Sequence, residues 1–214
     1  GFTCGTSGGT QRPWGIKVYK GRVYVGVVCD ASNGGRADMK AAVAYINSNG
    51  AGGFNLVFQL PLTYPKGYPD SGNIQRTGWN PWTDDFNVIN NNNQFLVYPQ
   101  AFVSDIEFDV DGTMVLAFGD RTAMMTGYRN YGTNTSFTTL HDGLTGGDVL
   151  RAYFSNGAYV LENNGKAGPA TGFGANNLQG PGLGEFYNDN WKNGSTYYHT
   201  EIFMGGLALR PGSG

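Results

Sequence analysis

The chain has 214 residues, a net charge of −2, 35 glycines and only 14% charged side chains, against roughly 25% in ordinary soluble domains. Its scattered basic residues exclude a nucleic-acid-binding stripe, and no apolar run reaches the roughly 18 residues of a membrane span. Because aromatic residues are too frequent for intrinsic disorder, the composition indicates an extracellular or cell-surface β protein with long polar loops.

The two cysteines, Cys4 and Cys29, bracket the first predicted hairpin. A cysteine pair in a low-charge, glycine-rich β chain is typical of oxidising compartments. We therefore expect a disulfide between them. The alternative is two unpaired thiols, with Cys29 buried at the end of a strand.

The strand signals come in groups of four. In the first group, alternating residues at 15–19 and 22–29 flank a Lys20-Gly21 turn, a pattern that predicts a hairpin. Residues 41–46 and 54–60 supply the third and fourth strands. The segment 37–46 also has apolar residues at helical spacing, but we assign a strand because it occupies the third position of the group.

The second group repeats this order. Strands are predicted at 105–110 and 113–118 around Asp111-Gly112, and at 148–154 and 158–162 around a Ser-Asn-Gly turn. The two groups align, so that Ile16 matches Ile106 and Val18 matches Phe108. A third copy begins at 206–209.

Repeats of four antiparallel strands are typical of β-propeller blades. We therefore predict an all-β chain, 1–214, that forms a partial propeller of two blades, at 13–62 and 103–163. The first strand of a third blade starts near residue 204, and loop insertions occupy 63–99 and 164–200. An irregular β-sandwich is the alternative, because short strands between turns also suggest one.

Two blades cannot close a ring of typically four to eight. We therefore expect the chain to be part of a longer polypeptide. We also expect the strand at 206–209 to be covered by the rest of that polypeptide or by a partner, because an unpaired strand exposes backbone groups and apolar surface.

Several stretches resemble a known family. They are Arg12–Cys29, Ser104–Met114, Gly119–Thr122, Gly147–Ala152, Leu161–Gly165 and Gly205–Gly214. They are similar to the β-propeller region of large secreted SD-repeat or adhesin-type surface proteins of Bacteroidota, many of which carry a type IX secretion or gliding-motility sorting domain. The resemblance implies a propeller fold, a bacterial source and a surface location. It implies no activity that can be carried over residue by residue.

One segment suggests a calcium ligand set. Asp109 and Asp111, followed by Gly112, resemble the start of a calcium loop, but an EF-hand loop needs a Glu at its twelfth position, where this chain has Asp120. A hairpin turn explains the segment better, because Lys20-Gly21 holds the same place in the first repeat. We therefore predict no cofactor, and calcium bound by Asp109 and Asp111 is the alternative.

Other candidates lie at strand ends and in the first insertion. Polar residues at strand ends would face the channel mouth of a propeller, either for ligand binding or for hydrogen bonds between blades: Asp105, Glu107, Asp120, Arg121, His199 and Glu201. The rings of Trp79 and Trp82 are candidates for stacking on sugars. Alternatively, they form a small cluster that pins the insertion.

We expect a secreted or cell-surface binding, adhesion or structural module of a larger protein, with the rest of the polypeptide, another surface protein or glycans as partners. A secreted carbohydrate-active enzyme at the propeller mouth is the alternative, because two suitably spaced carboxylates can hydrolyse glycosides. The sequence contains no His-Glu metal motif, Gly-x-Ser-x-Gly elbow or phosphate loop, and the spacing of its carboxylates does not by itself provide the separation that glycoside hydrolysis needs. Carboxylates from both repeats that converge in an open pocket would favour the enzyme.

Overall fold

A computed structural model describes residues 2–70, 78–89, 94–136, 138–210 and 212. The regular structure is mostly β, which confirms the all-β prediction. In chain order the elements are β1 (Gln11–Tyr19), β2 (Arg22–Cys29), a 3-10 turn (Arg36–Asp38), β3 (Lys40–Asn47), β4 (Asn55–Pro61), α1 (Phe86–Ile89), β5 (Phe95–Leu96), β6 (Ala101–Phe108), β7 (Met114–Asp120), α2 (Arg121–Thr126), β8 (Asn130–Tyr131), β9 (Leu140–Gly143), β10 (Asp148–Ser155), β11 (Ala158–Leu161), β12 (Lys166–Ala167), β13 (Ala170–Thr171), β14 (Trp191–Asn193) and β15 (Thr196–His199).

The first sheet is an antiparallel meander of β1, β2, β3 and β4 in chain order. Lys20 and Gly21 between β1 and β2 both have positive φ, at 44° and 72°, as a two-residue turn matched to strand twist requires. Residues 40–47 form a strand and not the alternative helix. Cys4 and Cys29 are bonded, with an S–S distance of 2.02 Å, which confirms the predicted disulfide.

The second sheet has the order β11-β10-β7-β6, and its neighbouring strands are antiparallel. The short strands form a β12–β13 hairpin, a β14–β15 hairpin and a small sheet of β5, β9 and β8. The two predicted groups of four strands are therefore present as two separate four-stranded sheets.

The two large sheets pack face to face around one apolar core. Val43 and Phe58 from the first sheet meet Ile106, Leu116 and Leu150 from the second. The sheets approach closely where β2 crosses β6, and a Cβ atom at Gly26 would lie only 2.3 Å from Cγ1 of Val103. Glycine is therefore required at position 26 by the distance between the sheets.

Within the described ranges the sheets do not close into a propeller or a barrel. The predicted third-repeat strand at 206–209 is not formed either. Its alternating apolar residues do pack, since Leu207 and Leu209 line an apolar groove with Val115 and Val149 of the second sheet. However, the backbone N–H of Leu207 donates to the Asp105 carboxylate at 2.9 Å, so a side chain takes the place of a partner strand.

Across the described residues, no helix combines the length and the apolar character that crossing a membrane requires.

Candidate functional site

The side of the first sheet that faces away from the second sheet is apolar across three strands. Paired residues of neighbouring strands project to the same side of a sheet. The pairing of β1 with β2 and of β2 with β3 therefore shows which residues share this side. We call it the outer face, and its residues are Ile16, Val18, Val23, Val25, Ala44 and Ile46. Ile16 is 64% exposed and Val18 is 66% exposed.

The matching residues of the second sheet are covered. Ile106, which aligns with Ile16, is 0% exposed in the core between the sheets. Phe108, which aligns with Val18, stacks on Tyr19 of the first sheet with ring centroids 4.2 Å apart. Equivalent positions of the repeat are therefore covered by protein in the second sheet and exposed to solvent in the first. Large contiguous apolar patches are uncommon on the surface of monomeric soluble proteins.

A second open feature, the aromatic cleft, lies where the hairpin turns of the two sheets meet. Its volume is about 590 Å³, and it is lined mainly by tyrosines and polar turn residues, among them Tyr19, Lys20, Arg22, Tyr24, Tyr45, Asp111, Phe154 and Tyr159. The Arg22 guanidinium lies over the ring of Tyr45 at 4.1 Å, and a hydrogen bond with Tyr24 raises the pKa of Arg22. Burial raises the pKa of Tyr159 to about 12, so this hydroxyl stays a hydrogen-bond donor at neutral pH.

Trp79, a candidate sugar-stacking residue, lies inside the protein. Its side chain is 1% exposed, its indole N–H donates to the Tyr64 hydroxyl at 3.3 Å, and the Lys66 ammonium lies 4.7 Å from its ring centroid. These contacts pin the first insertion against the core, as the alternative interpretation of Trp79 proposed.

Trp82, the second candidate, is partly buried next to Arg121. Its indole N–H donates to the carbonyl of Ala101 at 2.8 Å. The guanidinium groups of Arg12 and Arg121 lie 5.1 Å and 4.8 Å from its ring centroid, and Arg121 also pairs with Asp84. The ring therefore takes part in a polar network around the N-terminal segment, and sugar binding there stays a prediction.

The candidate calcium ligands accept hydrogen bonds from the backbone. Asp111 accepts from the N–H of Thr113 at 2.8 Å, as in a hairpin turn. Asp109 accepts from Val110 at 2.7 Å and lies 3.4 Å from the Arg151 guanidinium. Burial alone would raise the pKa of Asp109, but hydrogen bonds and Arg151 outweigh burial and lower it. These contacts agree with a turn, and calcium binding at this place stays a prediction.

The remaining polar candidates at strand ends are separated by the fold. Asp105 holds the C-terminal segment through Leu207, Glu107 forms an ion pair with Lys17 of β1, and Asp120 caps α2. His199 contacts the carbonyl of Pro69 and lies beside the ring of Trp191. They therefore do not form one ligand site, whereas Glu201 joins a different group of carboxylates.

That group combines the second sheet with the second insertion. It contains Asp148, Glu162, Glu185, Asp189 and Glu201, and all except the partly exposed Asp189 are buried. Burial raises the pKa of Asp148 to about 6, that of Glu162 to about 8 and that of Glu185 to about 9, and repulsion between the carboxylates adds to each rise. Carboxylates therefore do converge, but in an enclosed position and without a member from the first sheet. This arrangement does not favour glycoside hydrolysis, which needs an open site.

Most of this carboxylate group was not predicted from the sequence. Glu185 and Asp189 lie in an irregular Gly- and Asn-rich loop, and Lys66, which lies beside the group, comes from the other insertion. No spacing motif links them, because the fold alone brings these loops together.

No protein-family model matches the chain, and no solved structure matches it significantly. The chain is similar to parts of three proteins of Dictyostelium discoideum. It is 34% identical to Colossin-A over 192 residues, which is 86% of this chain and 2% of that protein. It is 29% identical to Colossin-B over 222 residues (95% and 5%) and 29% identical to Colossin-C over 199 residues (88% and 17%). The chain thus spans less than a fifth of each relative.

These relatives are eukaryotic, so the predicted resemblance to propeller regions of Bacteroidota surface proteins, with its bacterial source, is wrong. Three of the stretches that suggested it, Arg12–Cys29, Ser104–Met114 and Gly147–Ala152, lie in strands and turns of the two sheets. Alternating residues and Gly- or Asp-containing turns follow from sheet geometry, and they do not discriminate between families of β proteins.

Proposed function

We propose that the chain is a structural docking module of a larger extracellular protein, and that its outer face binds a further four-stranded sheet of the same kind. The observation that carries the proposal is the contrast between the exposed Ile16 and Val18 and their covered counterparts Ile106 and Phe108. We expect this contact to resemble the face-to-face packing of the second sheet on the first.

Two further observations support the proposal. The disulfide between Cys4 and Cys29 favours an oxidising compartment, which fits a secreted or cell-surface location. The three similar proteins are many times longer than this chain, and such a protein has room for further sheets. In the finer form of the proposal, the two sheets are successive blades of a propeller-like stack that other repeats complete.

The test uses the chain alone, because an uncovered outer face should bind a second copy. We expect sedimentation velocity to show self-association that increases with concentration. Replacing Ile16 and Val18 together with Lys should give a monomer with an unchanged melting temperature, since exposed substitutions usually change stability by less than about 0.5 kcal/mol. The matched control is Phe173→Lys, which removes a 98% exposed apolar side chain elsewhere and should leave association intact.

A wild-type chain that stays monomeric over a hundredfold range of concentration would contradict the proposal. Association that survives in the double variant would also contradict it, because the contact would then lie elsewhere.

The aromatic cleft supports a second candidate function, carbohydrate binding, which corresponds to an adhesion role. Tyrosine rings with hydroxyl groups, next to Arg22, Lys20 and Asp111, combine the apolar surface and the hydrogen-bonding groups that such sites use. Affinity electrophoresis with a panel of soluble polysaccharides tests this function. Retardation of the wild type that Arg22→Gln and Tyr45→Ala abolish, and that Phe173→Ala keeps, would support it. Equal mobility of the wild type with and without every polysaccharide would refute it.

A further inference from the structure

Three carboxylates, two in the second insertion and one directly after it, converge on one point. One oxygen each of Glu185, Asp189 and Glu201 lie within 4.8 Å of one another. Asp189 precedes β14 and Glu201 follows β15, so this hairpin brings the two residues to the same end. Glu185 is held beside them by backbone bonds to Gly174. The three ligand positions are thus fixed by backbone structure.

Two of these carboxylates carry a buried oxygen that accepts no hydrogen bond from the residues that the structure describes. Asp189 accepts from the N–H groups of Ile202 and Phe203 through Oδ2, at 2.9 and 3.1 Å, whereas its Oδ1 has no donor. Oε2 of Glu201, a residue that is 1% exposed, has none either. The side-chain oxygen of Gln179, from the same insertion, is also buried without a donor. Buried polar atoms in folded proteins nearly always have a partner, and these oxygens therefore call for one.

The charges at this place do not balance. The buried Lys66 ammonium lies 3.5 Å from Oε2 of Glu201 and donates no hydrogen bond to the described residues. When all three carboxylates are ionised, as cation binding requires, one ammonium leaves two negative charges. The neighbouring Asp148 adds another, although it accepts a hydrogen bond from Tyr64 at 2.5 Å. Buried charges that lack a counter-charge strongly oppose folding.

We propose that Glu185, Asp189 and Glu201 bind a divalent cation that ties the loop of Glu185 to the two ends of the β14–β15 hairpin. The donor set consists of oxygen atoms alone, which selects hard cations over zinc or copper. Calcium fits better than magnesium, because calcium accepts several carboxylates and an amide oxygen in flexible geometry. The ion supplies the two positive charges that Lys66 leaves missing, and it gives the free oxygens of Asp189 and Glu201 a partner. This site is separate from the turn with Asp109 and Asp111.

The experiment compares thermal unfolding in calcium, in magnesium and in EDTA, together with calorimetric titration of CaCl₂. For a calcium concentration about 100 times Kd, binding to the folded state alone should raise the melting temperature by roughly 5–10 °C. Magnesium should raise it less, and calorimetry should find one calcium ion per chain. Glu201→Gln and Asp189→Asn keep the shape of the side chains and should abolish the shift. The control Asp111→Asn changes an exposed carboxylate and should retain it.

Melting in EDTA gives a second reading that separates the two variants. Asp189 forms no ion pair with the described residues, so Asp189→Asn should melt no lower than the wild type in EDTA. Glu201→Gln should melt lower, because it leaves the buried Lys66 ammonium without its partner. If Glu201→Gln fails to fold, Asp189→Asn decides the question.

Equal melting of the wild type in calcium and EDTA, without heat of binding, would overturn the proposal. A calcium shift that persists in both Glu201→Gln and Asp189→Asn, or that Asp111→Asn alone abolishes, would also overturn it, because the ion would then bind elsewhere.

Discussion

Replacing both Cys4 and Cys29 with Ala removes a bond that closes a segment with a sequence separation of 25. The chain-entropy relation for a loop of this size gives about 3.5 kcal/mol of unfolding free energy. In chains of about 150 to 250 residues, each 1 kcal/mol moves the melting temperature by about 2–4 °C. We therefore expect the double variant to melt roughly 7–14 °C below the wild type.

Circular dichroism melts of the two proteins under non-oxidising and non-reducing conditions provide the measurement. The competing anchor of the same segment is Asp30, which accepts hydrogen bonds from the backbone of Thr10 at 2.8 Å and from Arg12 at 2.7 Å. A decrease of less than about 3 °C, equivalent to roughly 1 kcal/mol, would refute the reasoning. It would show that the Asp30 contacts, and not the covalent bond, order the N-terminal segment.

Asp30→Asn should lower the unfolding free energy by about 2 kcal/mol at neutral pH, because the charged carboxylate accepts several hydrogen bonds. Burial alone would raise the pKa of Asp30, but its hydrogen bonds lower it. The difference between variant and wild type should therefore be full above the ordinary pKa of about 4 and shrink as the pH falls below it, as urea titrations can measure. Gly26→Val should cost about 1–3 kcal/mol by forcing the sheets apart at Val103, and a neutral effect in chemical denaturation would contradict the close approach. Ile106→Ala should cost about 2–5 kcal/mol, whereas Ile16→Ala on the outer face should cost less than about 0.5 kcal/mol, and equal losses in the same denaturation assay would disprove the unequal coverage of the two sheets.

The strands were predictable because apolar residues recur at every second position between turns. In β6 the alternating Ile106 and Phe108 face the core, whereas in β1 the alternating Ile16 and Val18 lie on the exposed outer face. The alternation therefore indicated the strands but not which side of the sheet is covered. For β3, which has competing helical spacing, its position within the repeat was decisive. The alternation failed at 206–209, where Leu207 and Leu209 pack against the second sheet but the backbone bonds to the Asp105 side chain. An apolar pattern therefore does not show whether the backbone finds a partner strand.

The interaction surfaces were harder to predict than the strands. Ile16 and Val18 have the same apolar character as residues in the core, and only the folded structure shows that they are uncovered. Glu201 was selected from its position near a strand end, but Glu185 and Lys66 come from loops far apart in the chain. Loops that meet only in the folded state have no periodic signal, so the carboxylate cluster could not be derived from spacing.

The meander topology has a consequence for the order in which the protein folds. Each strand of the first sheet pairs with its neighbour in the chain, so this sheet can grow hairpin by hairpin with only short loops to close. The contact between the sheets, by contrast, joins distant parts of the chain, such as Lys17 and Glu107. Because the first sheet precedes the second in the chain, we expect its core side to lack a cover early in synthesis. We also expect the docking of the two sheets to be the slowest step of folding. Gly26→Val, which acts at this contact, should then slow folding while the hairpins still form at their normal rate.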